Sequence, residues 1–271
     1  MTVSALRELR VEGLTVLSSA STEKRARQLG ARTADARRWL DDLLGVSPRV
    51  VVGAVAPADW PSITDFPVYG FPHFVGDETI AVGGEPAPVF DHIVGLTWNG
   101  IEPALRDQMQ ATYGDPPQVQ SFADLLVVHE LAHLYHHQSG FWFPQRWLAE
   151  LFANLCLDGY VTERAPELGD ILRVFPRCAS GMDDAVLAER DLDRMAESLE
   201  SGPTGPLNYA WFQMNLHQAA ADLWSAGGAG TLERLFHRFR SETGTPTDLR
   251  AVLVEDVDPM LGDVIDGWPP I

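Results

Sequence analysis

The sequence has few cysteines and no long hydrophobic run. Two cysteines in 271 residues are too few for the disulfide framework of a secreted scaffold, so we expect Cys156 and Cys178 to be buried free thiols. No stretch approaches the roughly 18 consecutive apolar residues of a membrane-spanning helix, and the N-terminal residues lack the pattern of a secretory signal. If Met1 is the native start, these absences predict a cytoplasmic protein.

Positive charge is also scarce. The net charge is −18, and Lys24 is the single lysine among 20 basic residues. A surface this acidic repels the phosphates of nucleic acids and the headgroups of anionic membranes. We therefore expect neither nucleic acid nor a membrane as a partner, while the oligomeric state stays open.

Strand patterns are concentrated in the first hundred residues. An amphipathic helix is predicted over residues 22–44, between strands at 13–18 and 49–55. The region 56–90 is rich in proline and glycine, with short extended pieces predicted at PVYGF (67–71) and ETIAV (78–82). A further strand that ends in a turn is predicted for HIVGLTWNG, residues 92–100.

Helix patterns dominate after residue 120. The predicted helices cover residues 121–140, 143–160, 208–224 and 231–240. Ser121 is the expected N-cap of the first of these helices and Gly140 its stop, and Pro144 suits the first turn of the second. A loop is expected at 202–206. This order of elements predicts an α+β protein, in which residues 1–140 form an N-terminal lobe with a mixed β-sheet and residues 141–271 form a helical lobe.

Four histidines and one glutamate lie within the otherwise apolar stretch 127–137. His129 and His133 are four residues apart, so their side chains leave the same face of a helix and can bind one metal ion. Glu130 is displaced by about 100° from His129 around the helix, where it can reach a water beside the metal. This is the His-Glu-x-x-His arrangement, in which glutamate acts as a general base.

A catalytic zinc site usually takes three protein ligands. Glu150 lies within an apolar stretch of the next predicted helix, so its carboxylate needs a partner and is the expected third ligand. Asn154, one turn later, could orient a ligating histidine through a hydrogen bond. The alternative for Glu150 is an ion pair with Arg146.

Two further possibilities concern neighbouring residues. His133 and His137 have ligand spacing as well, but we expect His136 and His137 to lie at the end or rim of the helix, where a cation suits the helix dipole. A purely structural zinc site would need a fourth ligand. Cys156 is the nearest soft candidate, but it should face away from Glu150 on the helix.

The motif His129-Glu130-x-x-His133, followed by Glu150 on the next helix, resembles the gluzincin class of zinc metallopeptidases, which includes thermolysin and aminopeptidase N. The resemblance implies one zinc ion held by His129, His133 and Glu150, with Glu130 as general base. It also implies a sheet lobe and a helical lobe with zinc in the cleft, and an edge strand for the substrate, for which 92–99 has the right position. Asn154 stands where thermolysin-like enzymes have an acidic residue.

The resemblance implies hydrolysis of a peptide or protein substrate. Relatives stabilise the oxyanion with a tyrosine or a histidine of a later helix, and Tyr209 is the preferred match here, with His217 as its rival. The Gly-x-Met-Glu-Asn segment with which aminopeptidase N relatives bind a substrate's free amino terminus is absent, so aminopeptidase specificity is not supported. Endo- and exopeptidase activity both stay open. The alternative function is a metallopeptidase-like domain that contains zinc and serves as a binding or scaffold module.

Overall fold

The computed structural model describes residues 6–182, 187–199, 204–242 and 244–269. It shows an α+β protein with a small five-stranded sheet in the N-terminal part and a mostly helical remainder, which confirms the predicted α+β class. Two compact units can be distinguished. The first consists of the described residues up to His92 together with Val119–Ser139, and the second consists of Ile93–Gln118 and the described residues from Gly140 onward.

The sheet of the first unit is mixed. Its spatial order is β1-β2-β3-β5-β4, with parallel pairing of β2 with β3 and of β3 with β5, and antiparallel pairing at both edges. The five strands are β1 (Arg7–Val11), β2 (Leu14–Ser18), β3 (Val51–Val55), β4 (His73–Val75) and β5 (Thr79–Gly83). Helix α1 (Glu23–Leu44) connects β2 to the parallel strand β3 and buries an apolar side that includes Leu29, Leu40 and Leu44. The predicted strand–helix–strand opening and the strand at ETIAV are confirmed.

Two strand predictions in the first hundred residues are wrong. Residues 67–71 form bends and turns rather than an extended piece. Residues 92–97 belong to helix α2 (Pro88–Thr97), because Phe90, Ile93, Val94 and Thr97 are buried with a helical period. The hydroxyl of Thr97 donates to the carbonyl oxygen of Ile93, which also fits a helix. The segment proposed as an edge strand for substrate is therefore helical.

The histidine motif lies on helix α4 (Gln120–Gln138), and all but five of the nineteen residues of this helix are buried. A helix that is apolar on all sides is enclosed by other parts of the protein. The predicted helix is confirmed, and Gly140 follows its end with a positive φ of 78°. The predicted N-cap is wrong, because the helix begins at Gln120 and no side chain caps its first turn.

The second unit is built around two long helices. Helix α5 (Arg146–Arg164) contacts α8 (Gly205–Arg240), which is interrupted at Gly228, where φ is +55°. Pro144 precedes α5 rather than lying in its first turn. The shorter helices of this unit are α3 (Pro103–Tyr113), α6 (Gly169–Ala179), α7 (Met195–Ser198), α9 (Leu249–Val252) and α10 (Met260–Asp266). The predicted loop at 202–206 lies partly outside the described residues, and α8 begins at Gly205.

The contact of α5 with α8 depends on a glycine. A Cβ atom at Gly159 would lie 2.5, 2.6 and 2.9 Å from three ring atoms of Trp224. We therefore expect Gly159→Ala to lower the free energy of unfolding by about 1–3 kcal/mol, because the buried indole must move. Chemical denaturation would measure this. The control is Gly95→Ala in α2, where a Cβ meets nothing within 4 Å and should stabilise the helix by up to about 1 kcal/mol. Equal effects of both changes would contradict the prediction.

Helix length and hydropathy also bear on the membrane prediction. Within the described ranges, no helix combines the length and the apolar character that crossing a membrane requires.

Candidate metal centre

The two motif histidines face each other on α4. The Nε2 atoms of His129 and His133 are 3.1 Å apart, and both side chains are buried. Two zinc–nitrogen bonds of about 2.05 Å at a tetrahedral angle would hold the nitrogens about 3.3 Å apart. The backbone of one helix thus already presents two nitrogen ligands at nearly the separation that one ion requires.

His136 differs from the sequence expectation. It lies in the last turn of the helix, as expected, but it is only 1% exposed, and its Nε2 lies 3.1 Å from Nδ1 of His133. The expected position at the rim is therefore wrong for His136, which is on the same helix face as the buried His133. If Nε2 of His133 binds a metal, the ring proton is on Nδ1. This N–H group then donates a hydrogen bond to Nε2 of His136, which fixes the orientation of the ligating ring. His137 is half-buried and lies against the ring of Phe74.

Glu150 is buried on α5 within a set of hydrogen-bond donors. Nε of Arg146 lies 2.8 Å from its Oε1 atom in an ion pair and donates a hydrogen bond of 3.2 Å to the hydroxyl of Tyr209, which in turn donates one of 2.8 Å to the same Oε1. Its Oε2 atom accepts a bond of 2.7 Å from Nε2 of Gln213. The ion pair with Arg146, posed as the alternative for Glu150, does form. Arg146 lies one turn before Glu150 on α5, and its positive charge compensates the burial of the carboxylate.

The hydroxyl of Tyr209 donates its hydrogen bond to Glu150 in this structure. Burial and the nearby charge of Glu150 raise the pKa of Tyr209, so the phenol stays protonated and donates its one proton to the carboxylate. The oxyanion role of Tyr209 stays a prediction, and it would require this proton to turn toward substrate. The rival, His217, lines a different surface depression, whose walls include Asp158 and Arg173.

Two other residues considered in the sequence analysis, Asn154 and Cys156, lie on α5. Asn154 is buried, and its amide nitrogen lies 3.4 Å from Oε1 of Gln213, to which it donates. Its predicted bond to a ligating histidine stays a prediction. Cys156 is a buried free thiol, as is Cys178, which confirms that expectation. Burial raises the pKa of the Cys156 thiol well above its ordinary value.

The predicted ligands come together. One ligand atom from each of His129, His133 and Glu150 lies within 4.8 Å of the others, and all three residues are buried. Two imidazole nitrogens and one carboxylate oxygen form a donor set that suits a divalent transition metal. The residues present therefore fit a metal ion, and this group of described residues contains no cysteine. Glu130, which adjoins His129, is buried as well.

Gln213 and His136 were not identified as site residues from the sequence. Gln213 lies 63 residues from Glu150, and no spacing rule connects the two. His136 did carry a signal, because it shares a helix face with His133 at i, i+3 spacing.

Comparison with known proteins adds no relative to this description. No family model, no curated protein and no solved structure matches the chain.

Proposed function

We propose that this protein is a zinc-dependent peptide-bond hydrolase of the gluzincin type. The observation that supports this proposal is the buried group of His129, His133 and Glu150, whose ligand atoms lie within 4.8 Å of one another. Arg146, Tyr209 and Gln213 already compensate the burial of Glu150, and a divalent cation would bind both buried imidazoles together with this carboxylate. Their donor set is that of catalytic zinc sites with two histidines and one glutamate.

Each residue has a separate task in this proposal. When bound, zinc lowers the pKa of a water molecule and polarises a carbonyl group. His129, His133 and Glu150 bind the ion, and His136 orients His133. Glu130 accepts the proton of the attacking water and then delivers it to the leaving amine.

The oxyanion needs a donor besides the metal in most such sites. The resemblance to gluzincins implies Tyr209 as this donor, whereas the hydrogen bond of Tyr209 to Glu150 favours a role in holding the third ligand. Both roles keep the phenol protonated. The two roles differ in what the loss of the Tyr209 hydroxyl would change. In the oxyanion role its loss lowers turnover, and in the ligand-holding role its loss weakens metal binding.

The proposal predicts turnover that depends on zinc. The protein loaded with zinc should cleave members of an unbiased peptide library, and a chelator should abolish cleavage. Zinc added back after the chelator is removed should restore cleavage, whereas magnesium should not, because it prefers oxygen ligands in octahedral geometry. Mass spectrometry of the products would measure cleavage and show whether it is internal or terminal.

One result would favour the alternative function. If the protein binds about one zinc per chain tightly and cleaves no peptide in the library, a zinc-containing binding or scaffold module becomes the better description. Cleavage that continues unchanged in chelator would contradict the metal mechanism itself.

A further inference from the structure

The carboxylate of Glu150 is held at both of its oxygens. Arg146 forms an ion pair with Oε1, to which Tyr209 also donates a hydrogen bond, and Gln213 donates to Oε2. The three partners differ in exposure, because the side chain of Arg146 is 52% exposed whereas Tyr209 and Gln213 are each 8% exposed. A single ion pair would neutralise the charge of Glu150. Two additional buried donors restrict its orientation as well.

The contacts also limit how the carboxylate of Glu150 can turn. Its Oε1 accepts a hydrogen bond from Tyr209 and its Oε2 accepts one from Gln213. Rotation of the carboxylate would break both bonds, so the two donors fix the orientation in which it faces the histidines.

The orientation of the Gln213 amide is itself determined by a neighbour. Asn154 donates to Oε1 of Gln213, so the nitrogen end of that amide is the end that faces Glu150. The same nitrogen lies 3.3 Å from the hydroxyl oxygen of Tyr209. A chain of hydrogen bonds therefore runs from Asn154 through Gln213 to Glu150, and each amide in it is buried.

We propose that Gln213 and Tyr209 are positioning residues that fix the orientation in which the carboxylate of Glu150 binds the metal. The proposal rests on the proposed function, because it needs Glu150 to be a metal ligand. Residues that orient metal ligands commonly change metal affinity or activity by about 10–100-fold when they are replaced. Without Gln213, the carboxylate can rotate, which changes how its oxygens face the ion.

The test uses Gln213→Met and Tyr209→Phe in the full chain. Both changes nearly preserve side-chain volume and remove one donor to Glu150. Competition with a chromophoric chelator measures zinc affinity, and we expect each variant to bind zinc about 10–100-fold more weakly. The visible spectrum of the cobalt(II)-substituted protein reports coordination, and we expect a changed spectrum for Gln213→Met, because a rotated carboxylate alters the geometry around the ion. A purely structural role would leave this spectrum unchanged.

The matched control is Gln218→Met. Gln218 lies on the same helix, at the surface depression that also contains His217, so its loss should change neither zinc affinity nor the cobalt spectrum. Circular dichroism of the metal-free proteins checks folding. If Gln213→Met fails to fold, Tyr209→Phe decides the question, because it keeps the ring and its packing.

The outcomes separate this proposal from the proposed function. Wild-type zinc affinity and cobalt spectra in both variants would overturn the positioning role, provided that Glu150→Gln weakens zinc binding. A wild-type protein that binds no zinc, or a Glu150→Gln variant that binds it normally, would overturn both proposals. For Tyr209→Phe, a fall in kcat with unchanged zinc affinity and cobalt spectrum would overturn the positioning role of Tyr209 and support its oxyanion role.

Discussion

Replacing both His129 and His133 with alanine is expected to remove zinc from the protein and to abolish hydrolysis. The wild-type chain should hold about one zinc ion, and in the proposed site the two histidines would be two of its three protein ligands. The loss of affinity should therefore far exceed the roughly 10–100-fold typical of residues that only orient a ligand. Metal analysis after dialysis against a weak chelator would measure the zinc content of both proteins.

The control for this experiment is His92→Ala. His92 is an exposed histidine on α2 and is not a proposed ligand. Its replacement tests whether the loss of a histidine outside the site changes zinc retention. It should leave the zinc content at about one ion per chain. Stoichiometric zinc in the double variant would show that the metal is held elsewhere, and the assignment of the ligands would then be wrong.

Replacing Glu130 with glutamine is expected to leave zinc bound while hydrolysis falls by about 10²–10⁴-fold in kcat. Glutamine has nearly the shape of glutamate, so the buried position of Glu130 on α4 stays filled. Its amide cannot accept the proton of the attacking water or deliver it to the leaving amine. Steady-state kinetics on one cleaved peptide, together with zinc analysis of the same sample, would measure both effects.

Glu150→Gln is the matched comparison for this change. It is the same substitution at the other buried glutamate of the site, and it should weaken zinc binding because an amide oxygen is a poorer ligand than a carboxylate. The amide would also remove the charge that pairs with Arg146 and could place a donor group near the amide nitrogen of Gln213, which itself donates to Glu150. If the two variants show exchanged phenotypes, the roles of ligand and base are reversed.

The central part of the site could be predicted because it is local. His129, Glu130 and His133 lie within five residues of one helix, and the helical repeat alone determines that both imidazoles share a face. Glu150 could be added because a carboxylate in an apolar helix needs compensation wherever that helix packs. The same local reasoning located α1, β2 and β3, whose hydrophobic periods are clear.

Local patterns were insufficient where an apolar run was short or where burial was decided elsewhere. Residues 92–97 contain enough β-branched and apolar residues to suggest a strand, yet Ile93, Val94 and Thr97 are buried as one side of a helix. Strand β1 was missed because RELRV is largely exposed at the edge of the sheet. Its pairing with β2 supplies backbone hydrogen bonds, which a hydropathy pattern does not reveal.

The sequence alone determined the fold class and which residues could bind a metal, because composition, periodicity and spacing within a helix are properties of neighbouring residues. The tertiary structure decided the surroundings of those ligands. It buried His136 beside His133, directed the Tyr209 hydroxyl to Glu150, and brought Gln213 to the other oxygen of the same carboxylate. Tyr209 and Gln213 follow Glu150 by about sixty residues, so their contacts with it exist only because α8 packs against α5.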